Sequence, residues 1–186
     1  VIELLETDSL SVGVDWGAVT GVAAWSHCGI VMALQGDQLP MLRILCDYLR
    51  AHNDRVRILT LEAAFKGSGG EGSKALPAAL SSVAQEHFTK GVLWRQGFDM
   101  KKVWNPTPSE WRKVQGFTGG TTATGEKPNR EEYELRARLW AAPLLKVKEL
   151  PKSQTHKAEA LGMANAGWNH WWGQKLAMQT TFKRAP

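Results

Sequence analysis

With 186 residues, 43% of them apolar and 22% charged, the chain is long enough for one hydrophobic core and too ordinary in composition for wholesale disorder. Lys plus Arg outnumber Asp plus Glu by 23 to 18, a formal charge of +5 that suits a polyanionic partner. No apolar run approaches the roughly 20 residues that span a bilayer and no signal-peptide pattern opens the chain, so a membrane role is set aside and an intracellular location expected.

After a leader over residues 1–10, Ser11 to Trp16 reads as a buried strand, and Gly21 to Ser26 and Gly29 to Leu34 as two more in an antiparallel meander. Leu42, Leu45, Cys46 and Leu49 recur at helical spacing between Pro40 and His52, and Val56 to Leu61 follows as a buried parallel strand. The Gly-rich stretch Lys66 to Ser73 reads as a loop. It lacks the Gly-Lys-Ser/Thr ending of a phosphate loop, so no nucleotide cofactor is expected there. Leu76, Ala79, Leu80, Val83 and His87 mark one face of a long helix, with His87 a face residue rather than a ligand.

Phe98 to Asn105 is expected as a fifth strand, stopped by Asn105-Pro106-Thr107-Pro108, with a short helix at Ser109 to Lys113. Gly116 to Lys127 reads as a second Gly/Thr-rich loop, Arg130 to Trp140 as a helix broken by Pro143, and a last helix starts near Thr155. Residues 11–172 then form one α/β domain and 173–186 a loosely held basic tail. The two cysteines, Cys28 and Cys46, lack metal-ligand spacing and read as reduced core thiols. Among nine tryptophans, Trp25, Trp140 and Trp168 are expected in the core or at a dimer contact, and Trp111 as an anchor of its short helix.

Asp15 is the one acid in the apolar run Ser11-Val12-Gly13-Val14-Asp15-Trp16-Gly17. A buried carboxylate is costly unless it has a partner, which points to a metal or phosphate site; capping of the following turn is the plainer alternative. Glu62 ends the fourth strand, and His156 and Glu159 lie three apart, on one face of the last helix. Taken alone, that pair also fits a helix N-terminus with an acid in its first turn. Taken with Asp15 and Glu62, it suggests carboxylates from two strands and a helix converging on divalent ions. Phosphodiester hydrolysis uses such ions to neutralise the phosphate, activate water and stabilise the leaving oxygen, and oxygen ligands suit Mg²⁺, with Mn²⁺ as a substitute. A rigid strand residue such as Asp15 is the natural bridge between two ions about 4 Å apart. For His156, ligation, orientation of water and protonation of the leaving group stay open.

Strand one with Asp-x-Gly and Thr20-Gly21, then Leu61-Glu62-Ala63-Ala64-Phe65, then Trp111-Arg112-Lys113 after Pro108-Ser109, then His156-Lys157-Ala158-Glu159-Ala160, occur in the order of the RuvC-like Holliday junction resolvases, which this chain resembles from about Ser11 to Trp168. The resemblance implies an RNase H-like fold: a five-stranded mixed sheet, three strands antiparallel and two parallel, flanked by helices. It implies a homodimer that nicks two opposed strands of a four-way DNA junction symmetrically, leaving 5′-phosphate and 3′-hydroxyl ends. Asp15, Glu62 and Glu159 then look like metal carboxylates, His156 matches a position that is Asp or His in relatives, and Phe65 is similar to an aromatic that stacks on a base. The chain departs from the pattern at Trp16, where many relatives have Pro, and at Glu159, where many have the shorter Asp. Lys66, Lys74, Arg112, Lys113 and Lys127 fall in or beside loops where phosphates would lie, although scattered basic residues also make an ordinary solvated surface. Two rival readings stand beside the nuclease. Asp15 to Gly21 also looks like the first phosphate loop of actin-like phosphotransferases, which need two such lobes, and an RNase H-like domain can bind nucleic acid without cutting it.

Overall fold

The computed structural model describes residues 8–63, 75–117 and 128–182, and for 75–82 and 176–182 the backbone alone. Its sheet contains β1 (Leu10–Asp15), β2 (Val19–Ser26), β3 (Gly29–Asp37), β4 (Val56–Leu61) and β5 (Val103–Trp104) in the order β3-β2-β1-β4-β5. The first three strands pair antiparallel, and β4 and β5 run parallel to β1. Helix α1 (Gln38–Ala51) carries the chain from β3 across to β4, and α2 (Ala75–Arg95) precedes β5. Then come α3 (Pro108–Val114), α4 (Arg130–Leu144) and α5 (Thr155–Phe182). This is the mixed five-stranded α/β architecture expected from the motifs.

Strand periodicity divides the core in two. On one face Leu10, Val12 and Val14 of β1 meet Leu42, Leu45 and Leu49 of α1, joined by Leu59 and Leu61 of β4. The other face of the sheet meets α5, whose Ala160, Leu161, Met163 and Ala164 pack with Ala23, Trp111 and Ala141. Because β1 is covered on both sides, it reads as an almost continuous apolar run. Asp15 shares the α5 face with Ser11 and Gly13. In β4, Leu59 and Leu61 face α1, so Glu62, one position on, faces α5 as well.

The approach of α5 is unusually close. A Cβ on Gly13 would run into the Ala160 carbonyl oxygen and the Ala164 nitrogen, one on Gly21 into the His156 carbonyl, and one on Gly167 into the Thr60 hydroxyl. Ala160, Ala164 and Gly167 follow one another at helical spacing, forming the stripe that admits the sheet backbone.

Several local expectations differ from the structure. The fifth strand is only Val103–Trp104, because Asp99 accepts a hydrogen bond from the Lys101 N–H and stabilises a 3₁₀ turn over Met100–Lys102 in place of extended chain. Pro143 does not break α4 before it. The helix runs to Leu144 with the proline in its last turn, so the one N–H bond that it forfeits falls at the helix end and the helix stops just after it. The last helix continues past Gly173 to Phe182, so most of the segment expected as a loose tail is helical. Cys46 is buried as expected, but Cys28 is exposed in the tight turn between β2 and β3, where no core reaches it. Phe65, Lys66, Lys74 and Lys127 lie outside the described residues, as do the Lys66–Ser73 loop and most of the Gly116–Lys127 loop.

The glycine contact gives a test of opposite signs. Gly13→Ala should destabilise by about 1–3 kcal/mol or more, since backbone atoms would have to move. Gly91→Ala, in α2 with open space around it, should stabilise by about 0.5–1 kcal/mol. Urea unfolding of both variants checks the pair, and a neutral Gly13→Ala would contradict the packing described.

Candidate active site

Two strand ends and one helix start build the site. Val14 pairs with Leu61 across parallel β1 and β4, so Asp15 and Glu62 leave neighbouring strands at the same level. The Glu62 backbone is pinned on both sides: the Leu61 carbonyl accepts from Asn105 Nδ2 at 2.7 Å, and the Ala63 N–H donates to the Pro106 carbonyl at 2.8 Å. The segment that stops β5 therefore also fixes the end of β4.

The first turn of α5 is anchored from β3. Gln35 Nε2 donates to the Ser153 carbonyl at 2.6 Å, and Gln35 Oε1 accepts from the Lys157 N–H at 3.1 Å. One amide side chain thereby satisfies two backbone groups at a helix start. Gly17 makes room for the His156 ring, since a Cβ there would stand 3.2 Å from His156 Cε1 and 2.9 Å from the Val19 carbonyl oxygen. Gly21 does the same for the His156 carbonyl. The glycines of the Asp-x-Gly and Thr-Gly motifs thus serve the close seating of α5.

Asp15, His156 and Glu159 come together, with one potential ligand atom from each lying within 4.8 Å of the others. His156 Nδ1 is 2.6 Å from Asp15 Oδ2, so the pair holds a proton between nitrogen and oxygen. Glu62 stands beside this group, with its Oε1 accepting from Trp111 Nε1 at 3.0 Å. Glu159 Oε1 accepts from Arg112 Nη2 at 3.1 Å. Adjacent residues of α3 therefore hold carboxylates from two different elements. That helix is well started for its length, with Pro108 in its first turn and a reciprocal capping box between Thr107 and Glu110. Trp111 is buried against α5, where Gly162 leaves space for its ring.

Electrostatics follow from three acids in a dry place. Burial raises the Asp15 pKa, and the nearby Glu62 charge adds to the rise. Glu62 is raised by burial and by Glu159, and Glu159 is pushed up to about 7 by burial and by Asp15. The hydrogen bond to Asp15 raises His156. Such a concentration of acids, with raised pKa values and converging ligand atoms, fits a site for a hard divalent ion, and Asp15, His156 and Glu159 are the residues that could hold it.

Four participants were not legible in the motifs. Trp111 was expected as an anchor but not as a donor to Glu62, and neither Gln35 nor Asn105 carries a sequence signal for its bridging role. Glu134 of α4 is the fourth: it pairs with Arg130 at 2.7 Å, and its charge raises both His156 and Glu159. Its position four residues after Arg130 was the available clue. Arg112, expected to face DNA, points instead to Glu159, with its guanidinium carbon 5.1 Å from the Trp111 ring centre and 5.0 Å from that of Tyr133. Lys113 beside it is exposed.

The chain matches no protein-family model and no curated protein. Among solved structures it is similar to Thermus thermophilus RuvC in complex with a Holliday junction substrate, at 16% identity over 90% of this chain and 96% of that one, with a TM-score of 0.45. A second structure of Thermus thermophilus RuvC matches at 18% identity over 89% and 96%, also with a TM-score of 0.45.

The raised acids set a pH dependence. Glu159 folds with a pKa of about 7 against an ordinary 4.5, so the folded state binds more protons than the unfolded state between those values and stability falls as pH rises. His156 acts in the same direction, because a raised imidazole contributes fully below its unfolded value and loses that contribution as pH climbs through the folded one. In EDTA, Tm should therefore fall from pH 5 to pH 8, and Glu159→Gln should flatten the fall. Mn²⁺ should raise Tm at pH 8 much more than at pH 5.5. A Tm that climbs with pH in EDTA would contradict the assignment.

Proposed function

We propose that this chain is a metal-dependent DNA endonuclease that resolves four-way junctions. The observation that carries the nuclease reading is the meeting of Asp15, His156 and Glu159 within 4.8 Å, with Glu62 at the neighbouring strand end. The junction as substrate comes from the order of the motifs around those residues.

Divalent ions bound there, Mg²⁺ or Mn²⁺ and two per site, would neutralise the scissile phosphate and lower the pKa of the attacking water. The chain's own part is to present ligands at fixed spacing. Asp15 sits at the end of a strand paired on both sides and buried on both faces, and would hold the ions from that fixed backbone. His156 and Glu159 would add a nitrogen and an oxygen from one helical face, and for both His156 and Asp15 to act as ligands the proton they share would have to pass to solvent. Glu62, with one oxygen accepting from Trp111, would offer its other oxygen to an ion beside that group. Phe65, from the motif resemblance, would stack on a base, and Lys66, Lys74, Lys113 and Lys127, from their place in or beside the loops, would contact phosphates around the cut. Two opposed strands need two such sites, so the active species is a homodimer making paired nicks that leave 5′-phosphate and 3′-hydroxyl ends.

Asp15→Asn, Glu62→Gln and Glu159→Gln should each keep binding to a synthetic four-way junction in a gel-shift assay while cutting it at least about 100-fold more slowly. The nicks made by the unaltered protein should be sealed directly by DNA ligase. Undiminished cutting by purified Asp15→Asn protein would remove the site assignment. Equal cutting of plain duplex would remove the junction as substrate, and binding without any cutting in Mg²⁺ or Mn²⁺ would leave a non-catalytic DNA-binding domain.

A further inference from the structure

Arg112 holds an unusual position for a partly buried cation. Its side chain is 17% exposed and its partner Glu159 is 9% exposed, so this ion pair is shielded from solvent in a way the Arg130–Glu134 pair, with its arginine 81% exposed, is not. A guanidinium offers five N–H donors in a fork suited to bidentate pairing. Here one of them meets Glu159, and Arg112 Nε is buried with no hydrogen-bond partner among the described residues. The group is instead held by the Trp111 and Tyr133 rings, each about 5 Å from its central carbon. Aromatic faces retain a guanidinium without directional demands, so it can leave a carboxylate and stay parked.

Glu159 is also one of the three residues whose ligand atoms converge. The same carboxylate is therefore claimed by Arg112 and, on the function proposed above, by a divalent ion. We propose that Arg112 is the resident counter-ion of the acidic site: it occupies Glu159 in the cation-free chain, yields it to the entering divalent ion, and thereby sets how tightly the site takes that ion. This inference rests on the metal-site reading and adds to it a competitor within the chain. The exchange is electrostatically sensible, because a double charge enters as a single charge shifts aside by the width of a hydrogen bond while remaining between its two rings. It also gives Arg112 a sign opposite to that of a structural support. Removal of a support would disorder Glu159 and weaken ion binding; removal of a competitor strengthens it.

The test is Mn²⁺ binding without DNA, read from the electron paramagnetic resonance signal of free Mn²⁺, on the unaltered protein, Arg112→Gln, Glu159→Gln and the double variant. Arg112→Gln should bind Mn²⁺ about tenfold more tightly, since Glu159 is no longer held by a competing cation when the ion arrives. In the Glu159→Gln background the same substitution should change affinity by less than about threefold, because its effect runs through that carboxylate. Equal or weaker binding by Arg112→Gln, with the unaltered protein binding normally, overturns the competitor role and leaves the metal site standing. No Mn²⁺ binding by the unaltered protein overturns both. A second measurement needs no loss of the arginine: in nuclear magnetic resonance spectra of the unaltered protein, the Arg112 side-chain nitrogen signals, assigned by their disappearance in Arg112→Lys, should lose the slow rotation of a paired guanidinium as Mg²⁺ is added. Signals that ignore saturating Mg²⁺ overturn the proposal.

Discussion

The absence of side chains between α5 and the central strands determines most of what this protein can do. At Gly13 and Gly21 the sheet backbone meets the backbone of α5 directly, and Ala160 and Ala164 supply the matching small surface. Were these positions larger, α5 would stand farther from β1, and His156 and Glu159 would move away from Asp15 with it. The acidic cluster is therefore a consequence of backbone proximity. Gln35 and Gly17 refine the same contact, one by tying the first turn of the helix to β3 and the other by leaving space for an imidazole.

Such proximity has a cost. Three carboxylates brought into a buried site repel one another and lose their hydration, and both effects raise their pKa values. The structure offsets the cost with a short helix, α3, whose adjacent residues Trp111 and Arg112 each donate to a different acid. The division of labour is chemical. An indole N–H is neutral and orients Glu62 without cancelling its charge, whereas the guanidinium does cancel charge, at Glu159. Asp15 is compensated separately, through the proton it shares with His156. The remaining imbalance is what a divalent ion would satisfy.

Local rules succeeded where one interaction dominates and failed where side chains compete with backbone. Periodicity identified β1 and β4 because both are covered on two faces and so read as apolar runs. It overran at Phe98 to Asn105, where the alternation holds only from Phe98 to Lys101 and the Asp99 carboxylate captures a neighbouring N–H and curls the chain. It stopped short at Gly173, since glycine lowers helix propensity without forbidding a helix. Cys28 was misplaced for a related reason: neighbouring apolar residues suggested burial, but a residue in a two-strand turn lies beyond the sheet whatever surrounds it in sequence.

The residue types, spacings and alternation in the chain by themselves determined a mixed α/β sheet, the strand that carries Asp15, the pairing of His156 with Glu159 on one helical face, and the motif order that suggests DNA cleavage. All of that information is local or depends only on order along the chain. Tertiary structure alone decided that Trp111 reaches Glu62, that Arg112 turns inward to Glu159, that Gln35 caps a helix more than a hundred residues away, and that Glu134 overlooks the site. Those contacts join residues far apart in sequence, whose meeting depends on how closely α5, α3 and α4 settle on the sheet. Hydrophobic pattern says which face is buried; it does not say which donor will be left within reach of which acid.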